Sequence, residues 1–243
     1  MLLKRGVKLV VIISGNNADE LFVKIARKLI SDKKENNPRG LLTWEISDAW
    51  IVLENPEQSI VSLPERNLNL EYLEAEEKWY ESGDLKVDFI SKFSKFWKNL
   101  ADSNGTINSN YGFISKIEKW NGISQFEWCV KRLKEDQNTR QAIINYNQPR
   151  YKYEGNKDLP CTISNQFIKR NEKLDCITLM RSCDFIYGFS FDMPWFTKLQ
   201  MEMSKLTGIP LGKYYHYAAS FHVYERHFNM VEKISEAKIN EQT

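Results

Sequence analysis

The chain is poor in the residues from which metal and redox centres are built. Its four cysteines show no CxxC spacing, and its three histidines fall close together around one strand. Both features argue against a zinc site or an all-histidine metal centre. With no secretory signal, the thiols read as reduced cysteines of a cytoplasmic protein. The formal net charge is only +2, so there is no broad polycation to track a duplex backbone, and no nucleic acid is needed as a partner. No stretch is apolar for long enough to span a membrane. Basic residues precede Lys8-Leu9-Val10-Val11-Ile12-Ile13 and imitate the start of a signal peptide. The run is short and gives way to Asn16-Asn17-Ala18-Asp19-Glu20, so it reads as a first strand entering a helix. Neither an internal repeat nor a low-complexity linker interrupts the chain.

What is present is 243 residues, 42% of them hydrophobic, enough for one sizeable core in a single domain spanning residues 1–243. Leu21, Phe22, Ile25, Ala26 and Leu29 recur at helical spacing between Ala18 and Ile30, behind an Asn17 cap with Glu20 three residues on. Pro38-Arg39-Gly40 turns into a strand from Leu41 to Val52, interrupted near Ser47-Asp48. A helix from Leu70 to Tyr80 stops at Ser82-Gly83 and carries Glu76, a residue type that is usually solvated. Asp88 to Leu100 reads as one amphipathic helix, with Phe89, Phe93, Phe96 and Trp97 on a face suited to core or subunit contact. Another helix spans Ser124 to Glu135. Thr162 to Phe167 and Leu174 to Met180 pair as a hairpin across Arg170-Asn171-Glu172-Lys173. A helix opening at Asp192-Met193-Pro194-Trp195 runs to Leu206, where Gly208 and Pro210 close it. An aromatic-rich strand from Lys213 to Tyr224 then leads to a last helix near His227.

Chemistry concentrates between Asp158 and His227. Cys161 follows a proline, Arg181 ends a strand-like run, and a turn at Tyr187-Gly188 leads to Asp192. A cysteine, an arginine and an acid in successive segments suggest a nucleophile beside an anion site. Free cysteines are as often small buried hydrophobes, so the residues alone leave both readings of Cys161 open. The polar run Gly105 to Gly112 is a loop in which chemistry is more at home than in a helix. His222 and Tyr224, two apart on a strand, point to one side, whereas His216 and His227 read as structural or surface residues.

Leu159-Pro160-Cys161, Gln166, Arg181-Ser182-Cys183-Asp184, Tyr187-Gly188, Phe191 and His222-Val223-Tyr224 recur in the order that resembles the thymidylate synthase family. The resemblance runs from Pro38 onward and is most specific from Cys161 to His227, while the tail after Asn240 does not resemble the family's closing C-terminus. It implies an α+β fold, with a six-stranded antiparallel sheet surrounded by helices, and an obligate homodimer. It also implies 5,10-methylenetetrahydrofolate as co-substrate and no metal. Cys161 resembles the nucleophile that adds to C6 of the pyrimidine, and Glu76 the glutamate that organises water and moves protons at the exocyclic group and C5. Tyr111 resembles the aromatic lining beside the nucleophile. Arg181 and Ser182 resemble the phosphate clamp of the same subunit, and Arg39 the loop arginine that closes over it. Arg140 resembles an arginine that reaches across the dimer, with Gln141 where a second arginine is usual; an ion pair with Asp136 is the alternative for Arg140. Gln166 resembles a positioning residue below the nucleotide, and His222 and Tyr224 the pair that holds the 3′-hydroxyl. Asp184 resembles the acid that meets the pterin, beside Tyr187, Gly188 and Phe191.

Two departures bear on the reaction. Thr162 stands where a histidine commonly follows the nucleophile, and Asp192 stands where an asparagine is usual. Uracil offers O4 and N3–H, whereas cytosine offers a donor at N4 and an acceptor at N3. An aspartate accepts from N4 and, sharing a proton with N3, satisfies both atoms; an unsatisfied buried group there would cost on the order of 1–3 kcal/mol. The bland reading of Asp192 is a helix cap. With the Asn108-Ser109-Asn110-Tyr111-Gly112 loop, these residues resemble the cytidylate 5-hydroxymethylase branch, in which water rather than hydride completes the transfer. CMP and dCMP remain equal candidates. The alternatives are a thymidylate synthase acting on dUMP, recognised by dihydrofolate release, and a non-catalytic nucleotide-binding or RNA-regulatory protein, recognised by binding without turnover.

Overall fold

The computed structural model of the chain describes residues 11–239. Strand β1 (Val11–Gly15) enters helix α1 (Ala18–Asp32), whose buried face carries the expected Leu21, Phe22, Ile25, Ala26 and Leu29. Asn17 caps it by accepting from Glu20 N, while the Glu20 carboxylate turns back to the N–H of Asn16 rather than of Asn17. The Lys8 to Val10 part of the expected strand lies outside the described residues.

Five further strands follow: β2 (Thr43–Leu53), β3 (Ile143–Asn145), β4 (Thr162–Arg170), β5 (Lys173–Met180) and β6 (Leu211–Tyr224). They pair in the order β1-β2-β6-β5-β4-β3, and the two-residue strands Glu35–Asn36 and Cys183–Asp184 add to β2 and β6. The α+β class and the six-strand path agree with the resemblance. The sheet is not antiparallel throughout, however: β1 runs parallel to β2, and β5 parallel to β6. Each parallel pair is joined by a helix that crosses the sheet, α1 in the first case and α5 (Ser190–Thr207) in the second. The expected β4–β5 hairpin closes on Asn171 and Glu172 at φ of 48° and 60°, the left-handed pair that a tight two-residue turn requires.

Strand β2 stays hydrogen-bonded past Ser47-Asp48, but Asp48 adopts φ 56° and the side chains change faces there. Trp44 and Ile46 are buried before that point, and Ala49, Ile51 and Leu53 beyond it. Strand β6 switches alongside, from Tyr214, His216 and Ala218 to Phe221 and Val223. Because alternation has period two, this switch sets His222 and Tyr224 on the side away from Phe221 and Val223. Helices α1, α5 and α6 (Phe228–Glu236) cover one face of the sheet. Across the other face Ile12, Trp50, Tyr217 and Leu179 stand in one row over four strands. Ile12 is 67% exposed and the other three are half-buried, an apolar row with no covering helix among the described residues.

Helix α2 (Leu70–Ser82) ends as expected at Gly83, with φ 63°. Asp88 to Leu100 is not one helix. It splits into a 3-10 turn, Ile90–Lys92, and the short α3 (Phe96–Leu100). Ser91 and Ser94 are poor helix formers, and the break lets Trp97 drop onto Trp79, ring centres 4.8 Å apart. Trp97 alone of the four aromatics is buried; Phe89, Phe93 and Phe96 remain outside. Helix α4 (Gln125–Glu135) carries a complete Ser124–Glu127 capping box. Helix α5 starts at Ser190, ahead of Asp192, because Tyr187-Gly188 belongs to a π-turn, Phe185–Phe189, that feeds straight into it.

The loop before Cys161's partner segments is seated by Gly112. An alanine Cβ there would lie 1.6 Å from the main-chain oxygen of Tyr80 on α2. Gly112→Ala must push two backbones apart, at a cost of about 3 kcal/mol. For a chain of this size that corresponds to a fall of roughly 6–12 °C in Tm. Calorimetry checks this, and an unchanged Tm would contradict the close approach.

Candidate active site

Cys161 lies immediately before β4 and is half-buried, whereas Cys129, Cys176 and Cys183 are buried. Arg181, just past the end of β5, is tied to it. The Arg181 N–H donates to Cys161 O at 2.9 Å. Its guanidinium donates to Pro160 O at 3.2 Å and Leu159 O at 2.8 Å, which holds Nη2 3.4 Å from Cys161 Sγ. The cation does not by itself make a thiolate. Burial pushes the Cys161 thiol above its ordinary range, and Arg181, with Arg39 behind it, offsets only part of that. Asp158 and Asp192 oppose the thiolate further. Ser182, next to Arg181, is half-buried, and Arg39 is an exposed loop residue at φ 56°.

Two carboxyls lie within electrostatic reach of each other, and Asp192 also of Cys161. Glu76, 6% exposed on α2, is pushed up to about 7 by burial, against a hydrogen bond from Tyr72. Burial also lifts the Asp192 carboxyl well above the usual carboxylate range, and the charges of Glu76 and Asp184 reinforce it. Half-buried Asp192 is thereby biased toward its protonated form. It is the third residue of α5 and not its cap; Asp184 caps the preceding turn instead, accepting from Ile186 N at 2.7 Å and Tyr187 N at 3.1 Å. Gly188 keeps the approach to Asp192 open, since a Cβ there would sit 3.3 Å from its Oδ2. Tyr111 is buried against Tyr80, Tyr146 and Phe196, close enough for the charges of Asp192 and Cys161 to reach its hydroxyl.

At the end of β6, Asp184 is the register partner of His222. His222 and Tyr224 pack edge to face at 5.1 Å, on one side as expected, and His222 Nδ1 is buried without a partner among the described residues. Tyr187 is 62% exposed, while Phe191 is buried edge-on to Tyr72. Arg226 lies over Tyr224 and Tyr187, 4.0 Å from Asp184 Oδ2.

Arg140 and Gln166 do not join this group within one chain. The Gln166 amide donates to Arg140 O at 3.0 Å, and Gln166 aligns with Ile177 and Tyr215 on the uncovered face of the sheet. Arg140 is exposed, and no ion pair with Asp136 forms among the described residues.

Several residues of the site carried no obvious motif. Asp158 accepts from Asn108 N (2.6 Å), Ser109 N (2.8 Å) and Ser109 Oγ (2.7 Å), which fastens the 105–112 loop beside the nucleophile. Arg66 is buried at 4% exposure and holds Ser190 Oγ and Ile186 O. Tyr72 is one helical turn from Glu76, a spacing that could have drawn notice. Arg66 lies in a loop whose sequence gives no sign of its burial. Among the described residues, no group of three or more potential ligands is gathered to hold a metal.

A family model described as thymidylate synthase matches residues 20–242, starting earlier than the Pro38 boundary that the motifs mark. The deoxycytidylate 5-hydroxymethyltransferase of Enterobacteria phage T6 is 33% identical over 179 residues, covering 68% of this chain and 71% of the relative. Its phage T4 counterpart is 32% identical over 177 residues, with the same coverage. The deoxyuridylate hydroxymethyltransferase of Bacillus phage SP01 is 29% identical over 224 residues, covering 87% of this chain and 58% of the relative.

The thiol geometry makes a direct prediction. Alkylation of the folded protein by iodoacetamide should modify Cys161 alone, with an apparent pKa above the ordinary value of roughly 8.5. Arg181→Ala should move that pKa higher still, because it removes the largest opposing charge. Mass spectrometry across a pH series measures both; a thiol that titrates lower in Arg181→Ala would reverse the assignment.

Proposed function

The chain belongs to the thymidylate synthase family, and on that footing we propose that it transfers the one-carbon unit of 5,10-methylenetetrahydrofolate to C5 of a cytidylate, CMP or dCMP. Water completes the transfer, giving a 5-hydroxymethylcytidylate and tetrahydrofolate. The observation that carries the choice of base is Asp192, a half-buried acid beside Glu76 whose surroundings favour its protonated form. Its carbonyl oxygen accepts from N4 of cytosine while its O–H donates to N3. A neutral acid can also be turned to face uracil, but only the basic N3 of cytosine can share its proton. As the Cys161 thiolate adds to C6, charge builds over N3 and the exocyclic nitrogen, and Asp192 supplies the proton that meets it. Glu76, poised near neutrality, moves the C5 proton and handles the water that adds to the exocyclic methylene. Asp184, Tyr187, Gly188 and Phe191 would line the pterin, and Arg181, Ser182 and Arg39 the phosphate. His222 and Tyr224 would hold the sugar.

The apolar row Ile12, Trp50, Tyr217 and Leu179 supports a homodimer formed face to face on the uncovered sheet. That arrangement gives Arg140 and Gln166 a role they do not have in one chain, with Arg140 reaching the partner's phosphate. Four free thiols and a lack, among the described residues, of any helix able to cross a membrane suit the proposed cytoplasmic setting. The SP01 relative favours one second reading, hydroxymethylation of a uridylate.

Purified protein supplied with methylenetetrahydrofolate and CMP, dCMP, UMP or dUMP in turn decides between these. The cytosine nucleotides should gain a hydroxymethyl mass without dihydrofolate; preference for dUMP, or dihydrofolate release, would overturn the assignment. Asp192→Asn should shift preference toward uracil by at least about tenfold. In the wild type, KM for the cytidylate should rise as pH climbs. The raised Asp192 pKa keeps the donor in place to higher pH than an ordinary carboxyl would, and the donor is lost as pH passes it.

Arg140 should act in trans. Neither Cys161→Ala nor Arg140→Ala protein should turn over alone, while mixed and exchanged subunits should recover activity, since one site of each heterodimer is intact. Well-exchanged mixtures that stay inactive would place Arg140 at its own subunit's site.

A further inference from the structure

The Glu76 carboxyl is the last member of a three-group hydrogen-bond relay. Tyr72, one turn earlier on α2, places its hydroxyl 2.6 Å from Glu76 Oε1. Trp97 Nε1, on α3, lies 2.9 Å from that same hydroxyl oxygen. An indole N–H only donates, so the Tyr72 oxygen accepts from Trp97 and its single proton is committed to Glu76. Burial holds Tyr72 far from ionisation, and Phe191 packs edge-on against its ring at 4.8 Å. The direction is therefore fixed: indole to phenol to carboxyl.

A carboxyl oxygen that accepts from a phenol is a poor place for the carboxyl's own proton. We propose that Tyr72 is a positioning residue that confines the transferable proton of Glu76 to Oε2, the oxygen with no hydrogen bond among the described residues. Glu76 then presents one face to the pyrimidine as both acid and base, instead of exchanging its proton between two oxygens. The catalytic consequence rests on the one-carbon-transfer reading; the relay itself does not. Trp97 matters in the same sense, because its N–H keeps the phenol from turning its proton elsewhere. Breaking Asp88 to Leu100 into two pieces, which sequence periodicity disfavours, is what brings that indole to Tyr72. The relay also works against the environment of Glu76: burial disfavours the carboxylate, and the Tyr72 hydrogen bond partly restores it.

Two variants at position 72 move this relay in opposite directions. Tyr72→Phe removes the donor, and site-specific 3-fluorotyrosine, a more acidic phenol of nearly the same shape, strengthens it. The Glu76 carboxyl is titrated in the resting protein by NMR of carboxyl-labelled glutamate, its signal assigned through Glu76→Gln. Tyr72→Phe should raise the Glu76 midpoint by roughly half to one pH unit, and fluorotyrosine should lower it. In turnover, Tyr72→Phe should lower kcat at least about tenfold with nucleotide KM nearly unchanged. The limb of the pH–rate profile near neutrality should follow the NMR midpoint. A Glu76 midpoint that neither variant moves overturns the relay, whatever happens to activity. A moved midpoint with an unmoved pH–rate limb overturns the positioning role. Should Tyr72→Phe fail to fold, the near-isosteric fluorotyrosine protein still decides by the sign of its shift. Wild-type protein that turns over no pyrimidine nucleotide would defeat the proposed function but leave the titration to judge the relay.

Discussion

Two neighbouring carboxyl groups, Glu76 buried and Asp192 half-buried, with no cation paired to either among the described residues, are the constraint on which the site turns. Glu76 and Asp192 disfavour each other's charge, and burial disfavours both. The cations nearby are committed elsewhere. Lys198 on α5 pairs with Glu77 and Glu81, the outward acids of α2, and so clamps the two helices without reaching Glu76. Arg66 spends its buried guanidinium on Ser190 and Ile186. A site that favours the protonated form of one acid and holds another near its midpoint can hand protons in both directions. Addition of a nucleophile to a pyrimidine, followed by hydration of a methylene, needs that capacity.

The sheet connects this constraint to the nucleophile. Crossing helix α5 runs between the parallel strands β5 and β6, and its first turns bring Asp192 toward the end of β5, where Arg181 and Cys161 are bound together. Main-chain oxygens of Leu159 and Pro160 hold the guanidinium, so its position does not depend on a flexible acid. Such a mount leaves the cation's charge available to both the sulfur and an incoming phosphate. The face change at Asp48 then turns His222 and Tyr224 away from the packed Phe221 and Val223, toward Asp184. Tight backbone contacts at Gly112 and the Asp158 latch hold the remaining wall, with Tyr111, in place.

Much of the fold was legible because its signals are local. Asn17, Gly83, Asn171-Glu172 and Gly208 mark element ends by their own conformational preferences, and each does so in the structure. The errors have tertiary causes. Strand direction is set by what crosses between strands, and the face change at Asp48 leaves the hydrogen-bonding of β2 intact. The Phe89–Trp97 periodicity reads as a helix until Trp97 finds Trp79 and Tyr72. Order and spacing marked Cys161, Arg181, Asp184, Asp192, His222 and Tyr224 as one group, and Cys161, Arg181, Asp184 and Asp192 do lie near one another, as do Asp184, His222 and Tyr224. Arg66, Asp158 and Tyr72 were not so marked, since each matters through a partner distant in the chain or through burial that no motif records. The thiol's electrostatics were not legible either, since burial, which outweighs the nearby Arg181 and Arg39, leaves no mark in the sequence.

The central claim is that Asp192 meets the base as a neutral acid. Isotope-edited infrared difference spectroscopy of the dCMP complex at neutral pH tests it most directly, with Asp192→Asn as the reference. The account predicts a protonated-carboxyl band in the nucleotide-free protein that shifts on dCMP binding and is missing from the variant. A carboxylate band assigned to Asp192 in the nucleotide-free protein at neutral pH would contradict it.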